Sequence, residues 1–258
     1  MNIVQLSLLQ NDGCAGGCKF CGLSLNSEVE RELSPSEIEF QKSFDFARSS
    51  NARLELVFPS VGTNQREVLG LLTEMSGVIQ RNADVDLAIN PGLCTRPEFY
   101  DQLASLGVKR YRNNLESSRR LFQDLVPSRP LAQDTKLESL TLARASGLSV
   151  DTGWLCGLGE TEADIDDILE LLEASTPDSI TLNFFDPREA AEAFEHTQPS
   201  HQAGLDRYEA LQARFPGTEL TLGGAYELWM GADAQQLLKA DGVYVGRFLD
   251  HGIEKSAC

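Results

Sequence analysis

Residues 148–164 read LSVDTGWLCGLGETEAD and carry one complete structural unit. Leu148 to Leu155 is a β-rich run. Gly157 and Gly159 make a turn from strand to helix, with Glu160 near the helix N-terminus, and Thr161-Glu162-Ala163-Asp164 caps the next helix. That helix, from Asp164 to Glu173, is acidic on one face and apolar on the other, so it lays its apolar face on a sheet.

The same strand-turn-helix unit recurs along the chain. The expected strands are Ile3–Leu9, Leu54–Phe58, Val85–Ile89, Val108–Leu115, Leu148–Leu155, Ile180–Phe184, Leu220–Leu222 and Val243–Val245. Between them helices are expected from Ser34-Pro35-Ser36-Glu37, over Gln65–Gln80, Pro97–Leu106, Lys136–Ser146, the capped segment above, Ala203–Arg214 and Ala234–Lys239. Gly107 and Gly147 stop two of them. Eight βα units in 258 residues predict a (β/α)8 barrel of the TIM type, full or slightly open, over residues 1–250. Residues 251–258 are expected to be a tail that folds over the active site. In such a barrel the loops after the strands form the catalytic face, so a motif following a strand is placed for chemistry.

Composition limits the partners. Asp plus Glu number 39 against 22 Lys plus Arg, for a net charge of −17. A surface this acidic repels phosphate backbones and anionic lipid, so neither nucleic acid nor a membrane is expected as partner. The first residues lack a basic, signal-like start, and no run approaches the length of a membrane span. A cytoplasmic protein with reduced thiols is expected. The six cysteines are too few for a disulfide scaffold, but reduced thiolates are metal ligands, and their spacing becomes the question.

Directly after the first strand stands CAGGCKFC, residues 14–21. Cys14, Cys18 and Cys21 lie in a glycine-rich loop able to bring three sulfurs to one centre. Soft thiolates select zinc, cuprous ion or an iron–sulfur cluster. A structural zinc site wants four protein ligands, and the three histidines, His196, His201 and His251, are remote in sequence. Three thiolates leave one metal corner open for a ligand, which suits a 4Fe–4S cluster with one unligated iron. CxxxCxxC with aromatic Phe20 before the last cysteine resembles the signature of the radical S-adenosylmethionine (radical SAM) superfamily. The resemblance implies a partial or full (β/α) barrel and a 4Fe–4S cluster that chelates SAM. It implies an electron donor such as ferredoxin or flavodoxin, and reductive cleavage of SAM to a 5′-deoxyadenosyl radical that abstracts a substrate hydrogen.

Two further stretches, YRNNLESS at 111–118 and GLGET at 157–161, are similar to motifs of biotin synthase and its relatives. They imply SAM contacts from Phe20, Asn114, Glu116, Lys136, Gly157, Gly159 and Glu160. Asn114 and Glu116 would meet ribose hydroxyls, and Lys136, matching a family Arg, would meet the SAM carboxylate without the bidentate fork. The residues also admit blander readings: a solvated strand end for Asn114 and Glu116, and a plain turn for the two glycines. The positions matching the second-cluster ligands of biotin synthase carry Ile89, Asp151 and Thr221, none a thiol or guanidinium, which speaks against that enzyme's own sulfur-donating cluster.

Cys94, Cys156 and Cys258 remain. They are either ligands of an auxiliary iron–sulfur cluster or ordinary small buried side chains. With a second cluster, sulfur insertion of the lipoyl-synthase type on a small-molecule or acyl-carrier substrate is expected, with a partner subunit conceivable. Without it, a carbon-skeleton mutase or lyase resembling methylornithine synthase or a hydrogenase maturase is preferred. A non-catalytic iron–sulfur or zinc protein is the reading from another class. Arg112, Asp151, Asn183, Arg188 and Tyr226 are the candidates for substrate contact at the lumen mouth.

Overall fold

The structure is a computed structural model. It describes residues 1–8, 16–21, 35–58, 65–127, 132–190, 192–249 and 252–254, with 246–249 and 252–254 described by backbone only. Cys14, Cys258 and His251 lie outside the described residues.

Strands β1 (Asn2–Ser7), β2 (Ala52–Val57), β3 (Leu87–Asn90), β4 (Arg110–Arg112), β5 (Ser149–Cys156), β6 (Ser179–Phe184), β7 (Glu219–Leu222) and β8 (Gly242–Leu249) pair in sequence order, all parallel. β1 pairs with β2 on one side and with β8 on the other, so the barrel is closed. A ninth strand, β9 (Gly252–Glu254), turns back antiparallel on β8.

The helices between the strands are α1 (Glu37–Ser49), α2 (Gln65–Glu74), α3 (Ser76–Arg81), α4 (Pro97–Ser105), α5 (Arg119–Leu125), α6 (Gln133–Ala145), α7 (Glu162–Ser175), α8 (His201–Arg214), α9 (Tyr226–Met230) and α10 (Ala234–Leu238). Their starts follow side-chain chemistry. The cap of α1 is Ser36, two residues later than its sequence suggests. Its Oγ accepts from Glu39 N at 3.3 Å, and Glu39 Oε2 accepts from Ser36 N at 2.7 Å. Thr161 and Asp164 make the same reciprocal pair at α7. The expected helix over Gln65–Gln80 is two helices, broken at Met75 just ahead of Ser76-Gly77.

Side chains alternate across each strand. One set, including Leu54, Leu56, Ile89, Val150, Trp154, Ile180, Leu182 and Leu222, packs with Phe40, Phe44, Leu72, Leu140, Leu172 and Leu211 of the helices. This apolar layer is the core. The other set faces the lumen, and it is mostly polar.

Candidate active site

The lumen is built from charged and polar residues spaced two apart inside otherwise apolar strands. On β2 these are Arg53 and Glu55, on β4 Arg110 and Arg112, on β5 Asp151, on β6 Ser179 and Thr181, on β7 Glu219 and Thr221. Contacts across the barrel show that they converge. Arg53 donates to Ser179 Oγ at 3.0 Å and lies 3.4 Å from Glu219 and 3.5 Å from Asp151. Arg110 pairs with Asp151 at 3.1 Å and with Asp86 at 2.5 Å. Thr181 and Thr221 share a hydrogen bond of 2.7 Å. Arg53 and Asp151 are both 0% exposed, so the centre of this level is a dry floor, while Arg110 and Glu219 at its edge are partly exposed. Burial pushes the Asp151 carboxyl up, and Arg53, Arg110 and Arg112 work against that.

Nearer the strand C-termini the lumen opens. Glu55 accepts from Arg112 Nη1 at 2.9 Å and from Gln5 Nε2 at 3.0 Å, and Tyr244 donates to Gln5 Oε1 at 2.9 Å. The next inward positions, Ser7, Val57, Asn90, Leu155 and Asn183, are partly exposed, although their outward neighbours Leu6, Leu56, Ile89, Cys156 and Leu182 are buried. Among the described residues, exposure on the inner face of strands whose outer face is buried describes a well at the strand C-termini.

On one side of this well the structure brings Arg112, Asn114, Glu116 and Lys136 together. Arg112 Nε donates to Asn114 Oδ1 at 3.1 Å. Lys136, at the start of α6, donates through Nζ to Asn114 O at 2.5 Å and lies 4.9 Å from the Phe122 ring centre. Glu116 is held by backbone bonds to β5, donating to Gly153 O at 3.0 Å and accepting from Leu155 N at 2.7 Å. Its φ is +70°, a left-handed conformation that costs a non-glycine residue about 1–3 kcal/mol. Burial raises the Glu116 carboxyl, and Lys136, Arg112 and Asn114 oppose the rise. Gly153 makes room for this arrangement: a Cβ there would stand 2.6 Å from Asn114 Oδ1. Gly223 does the same for Asn183, whose Oδ1 would collide with a Cβ at that position.

The cysteine loop sits beside the same rim. Lys19 N donates to Leu125 O at 3.0 Å, and Glu192 N donates to Lys19 O at 3.1 Å. Phe20 and Leu155 pack with Leu121, Leu125, Leu158, Phe185 and Phe194 in a separate apolar cluster. Cys18 and Cys21 are partly exposed, and Cys14 lies outside the described residues. Thiolates held partly open on a pinned loop fit an iron–sulfur cluster.

Other expected site residues are placed differently. Gly157 and Gly159 have φ of +100° and +89°, and a Cβ on them would meet Trp229 at 2.5 Å and Glu195 O at 3.0 Å, so backbone and packing already require both glycines. Glu160 closes their turn, its Oε1 accepting from Gly157 N at 2.7 Å. Asp151 belongs to the floor. Arg188 folds back on Asp186 within one turn, Nη2 to Oδ2 2.5 Å, with its side chain 64% exposed. Tyr226 is buried with the helix-side core, its hydroxyl 3.1 Å from Glu227 Oε1. Cys94 and Cys156 are buried in the same core; Cys94 Sγ accepts from Arg96 N at 3.4 Å, and burial raises the Cys156 thiol. Ile89 also faces the helices, and Ala88 and Asn90 face the lumen. Glu55, Gln5 and Tyr244 were not anticipated from sequence, although the alternation Arg53-Leu54-Glu55-Leu56 signals charge on one face of a buried strand.

The model of the radical SAM superfamily matches residues 10–172. The chain belongs to this superfamily. Within it the sequence is biotin-synthase-like. It is 29% identical over 247 residues to biotin synthase of Parafrankia sp. (strain EAN1pec), covering 93% of this chain and 67% of that one. It is 25% identical over 258 residues to biotin synthase of Aliarcobacter butzleri, covering 97% and 89%. Solved structures with the same fold include the FeFe-hydrogenase maturase HydG of Carboxydothermus hydrogenoformans, with a TM-score of 0.78, 15% identity and coverage of 95% and 59%. Methylornithine synthase (PylB) follows with 0.76, 16%, 99% and 76%. The chain thus spans about two thirds of the first biotin synthase and less of the maturase. It is a radical SAM enzyme, and such enzymes need an electron donor and a substrate. Among the described residues no helix is long and apolar enough to cross a membrane.

Proposed function

We propose that this enzyme binds a 4Fe–4S cluster through Cys14, Cys18 and Cys21 and uses SAM to abstract hydrogen from a small polar molecule held in the well, in a mutase or lyase reaction. When bound, the cluster supplies the electron that cleaves SAM to methionine and a 5′-deoxyadenosyl radical. The protein's own residues do the rest. Glu116 and Asn114 accept and donate at the ribose, Lys136 neutralises the SAM carboxylate, and Phe20, Leu155 and Leu158 give an apolar wall that keeps water from the reacting carbon. The dry floor allows entry from one end alone.

The observation that carries the reading is the placement of Cys94 and Cys156. Both thiols lie in the apolar layer between strands and helices, away from the lumen, where an auxiliary cluster would have to sit to donate sulfur. Sulfur insertion is the second reading, favoured by the names of the curated relatives. Ferredoxin or flavodoxin would be the reductant, in the cytoplasm; the end of the tail, residues 255–258, lies outside the described residues.

Anaerobic reconstitution tests both. Formation of 5′-deoxyadenosine from SAM and dithionite, lost in Cys18→Ser and Cys21→Ser, supports the enzyme. A protein that binds zinc and leaves SAM intact overturns it, and a stable sulfur-containing product would favour the second reading.

A further inference from the structure

The polar groups of the lumen form two levels with different surroundings. In the lower level the buried carboxylate meets two positive groups: Asp151 lies between Arg53 and Arg110. The centre of that level, Arg53 with Asp151, is closed. The Glu55–Arg112 pair stands one inward step higher on β2 and β4, directly below the partly exposed rim. Both side chains are deeply buried, with Arg112 3% and Glu55 0% exposed. Their further partners, Gln5 in register with Glu55 and Asn114 beyond the end of β4, are themselves partly exposed. The pair is therefore where the open well ends, and it presents one cation and one anion side by side to whatever fills the well.

A ligand bearing a single charge would take one member of the pair and leave the other buried without a partner, which is costly. A ligand bearing both charges on one carbon exchanges each contact for an equivalent one. Carboxylate replaces Glu55 on the planar fork of Arg112, and ammonium replaces Arg112 and Gln5 on Glu55.

We infer that the Glu55–Arg112 pair recognises the zwitterionic head group of a free α-amino acid, whose side chain then extends up the well toward the rim. This rests on the proposed function and names the substrate class of that site. The reacting C–H bond breaks homolytically, with its hydrogen atom passing to the 5′ carbon of the deoxyadenosyl radical.

The test uses the full, reconstituted chain with SAM, dithionite and a uniformly deuterated mixture of amino acids. Mass spectrometry of 5′-deoxyadenosine is the readout. Deuterium in that product supports the inference. Cleavage of SAM with no deuterium transferred overturns the inference and leaves the proposed function standing. No cleavage of SAM removes both. A second readout is binding, by saturation-transfer NMR, to protein with and without the cluster. The amino acid that transfers deuterium should bind at least about tenfold more tightly than its N-acetyl derivative or its decarboxylated amine. Equal binding of the three overturns the inference. Glu55→Gln, nearly isosteric and checked for folding by circular dichroism, should lose the discrimination against the N-acetyl derivative; if it keeps that discrimination, Glu55 is not the ammonium site.

Discussion

Lys136 Nζ donates to the backbone carbonyl of Asn114 at 2.5 Å, tying the first turn of α6 to the strand end that carries Asn114 and Glu116. One cation thus fixes the backbone of one site residue and lowers the proton affinity of the next, since it opposes the burial that raises Glu116.

A pH dependence follows. The raised Glu116 pKa means that the folded protein holds this proton at pH values where a free Glu, near 4.3, has lost it. A carboxylate is needed to accept from ribose hydroxyls, so SAM affinity should fall as pH drops through the raised value. In Lys136→Met the midpoint of that fall should move to higher pH, because an opposing charge is gone. In Glu116→Gln the dependence should flatten. Titration of SAM binding by calorimetry between pH 5 and pH 8 measures all three, and an unshifted midpoint in Lys136→Met would show that the lysine does not act on Glu116.

Gly153 should be intolerant of a single methyl group. Ala at this position drives a Cβ to 2.6 Å from Asn114 Oδ1 and 2.9 Å from Thr181 O. The backbone of β5 is paired on both sides and cannot yield, so Asn114 must leave its place. Gly153→Ala is expected to weaken SAM binding by about tenfold, roughly 1.4 kcal/mol, with a smaller effect on the melting temperature. Wild-type affinity in this variant would mean that Asn114 is not a SAM ligand.

Iron content separates the two groups of cysteines. The double variant Cys94→Ala/Cys156→Ala should keep about four irons per chain, the content of one 4Fe–4S cluster. It should lose stability by about 1–2 kcal/mol per thiol from the cavities left in the core. Cys18→Ser or Cys21→Ser should lose the iron with little change in urea midpoint before reconstitution. Inductively coupled plasma spectrometry reads the metal. A wild type with about eight irons that falls to about four in the double variant would restore the auxiliary cluster.

The floor of the well should respond asymmetrically to mutation. Arg53→Met takes one of its two cations from Asp151, which is 0% exposed and keeps Arg110 alone, and a loss of about 3–5 kcal/mol is expected. Adding Asp151→Leu to Arg53→Met should recover much of it, because the under-compensated buried carboxylate is then removed as well, while Arg110 keeps Asp86. Guanidinium denaturation of the two variants measures the difference; equal losses would mean that solvent reaches this level.

Much of this was legible in the sequence. Alternating β-rich and capped helical segments gave eight strands in a ring, and three cysteines after β1 gave the family. Short elements were missed for local reasons. Helix α5 has seven residues, too few for a periodic stretch to stand out, and was announced mainly by Ser118, whose Oγ accepts from Leu121 N at 3.2 Å. Helix α9 has five and begins after a left-handed Ala225. The lumen level of a residue was harder still. Ile89 and Ala88 differ by one position and face opposite sides of β3, and the choice is fixed by pairing with β2 and β4, which no single strand encodes. The left-handed backbone of Glu116 likewise comes from its bridge to Trp154, thirty-eight positions away in another unit.

The dry level formed by Arg53 and Asp151 has a kinetic meaning. A vessel with one mouth cannot pass molecules through; what enters first lies deepest and leaves last. If SAM seats on Asn114 and Glu116 at the rim, it corks whatever lies on Arg112 and Glu55. Turnover then obliges the deep molecule to load before SAM and to depart after methionine and 5′-deoxyadenosine, an ordered cycle imposed by topology.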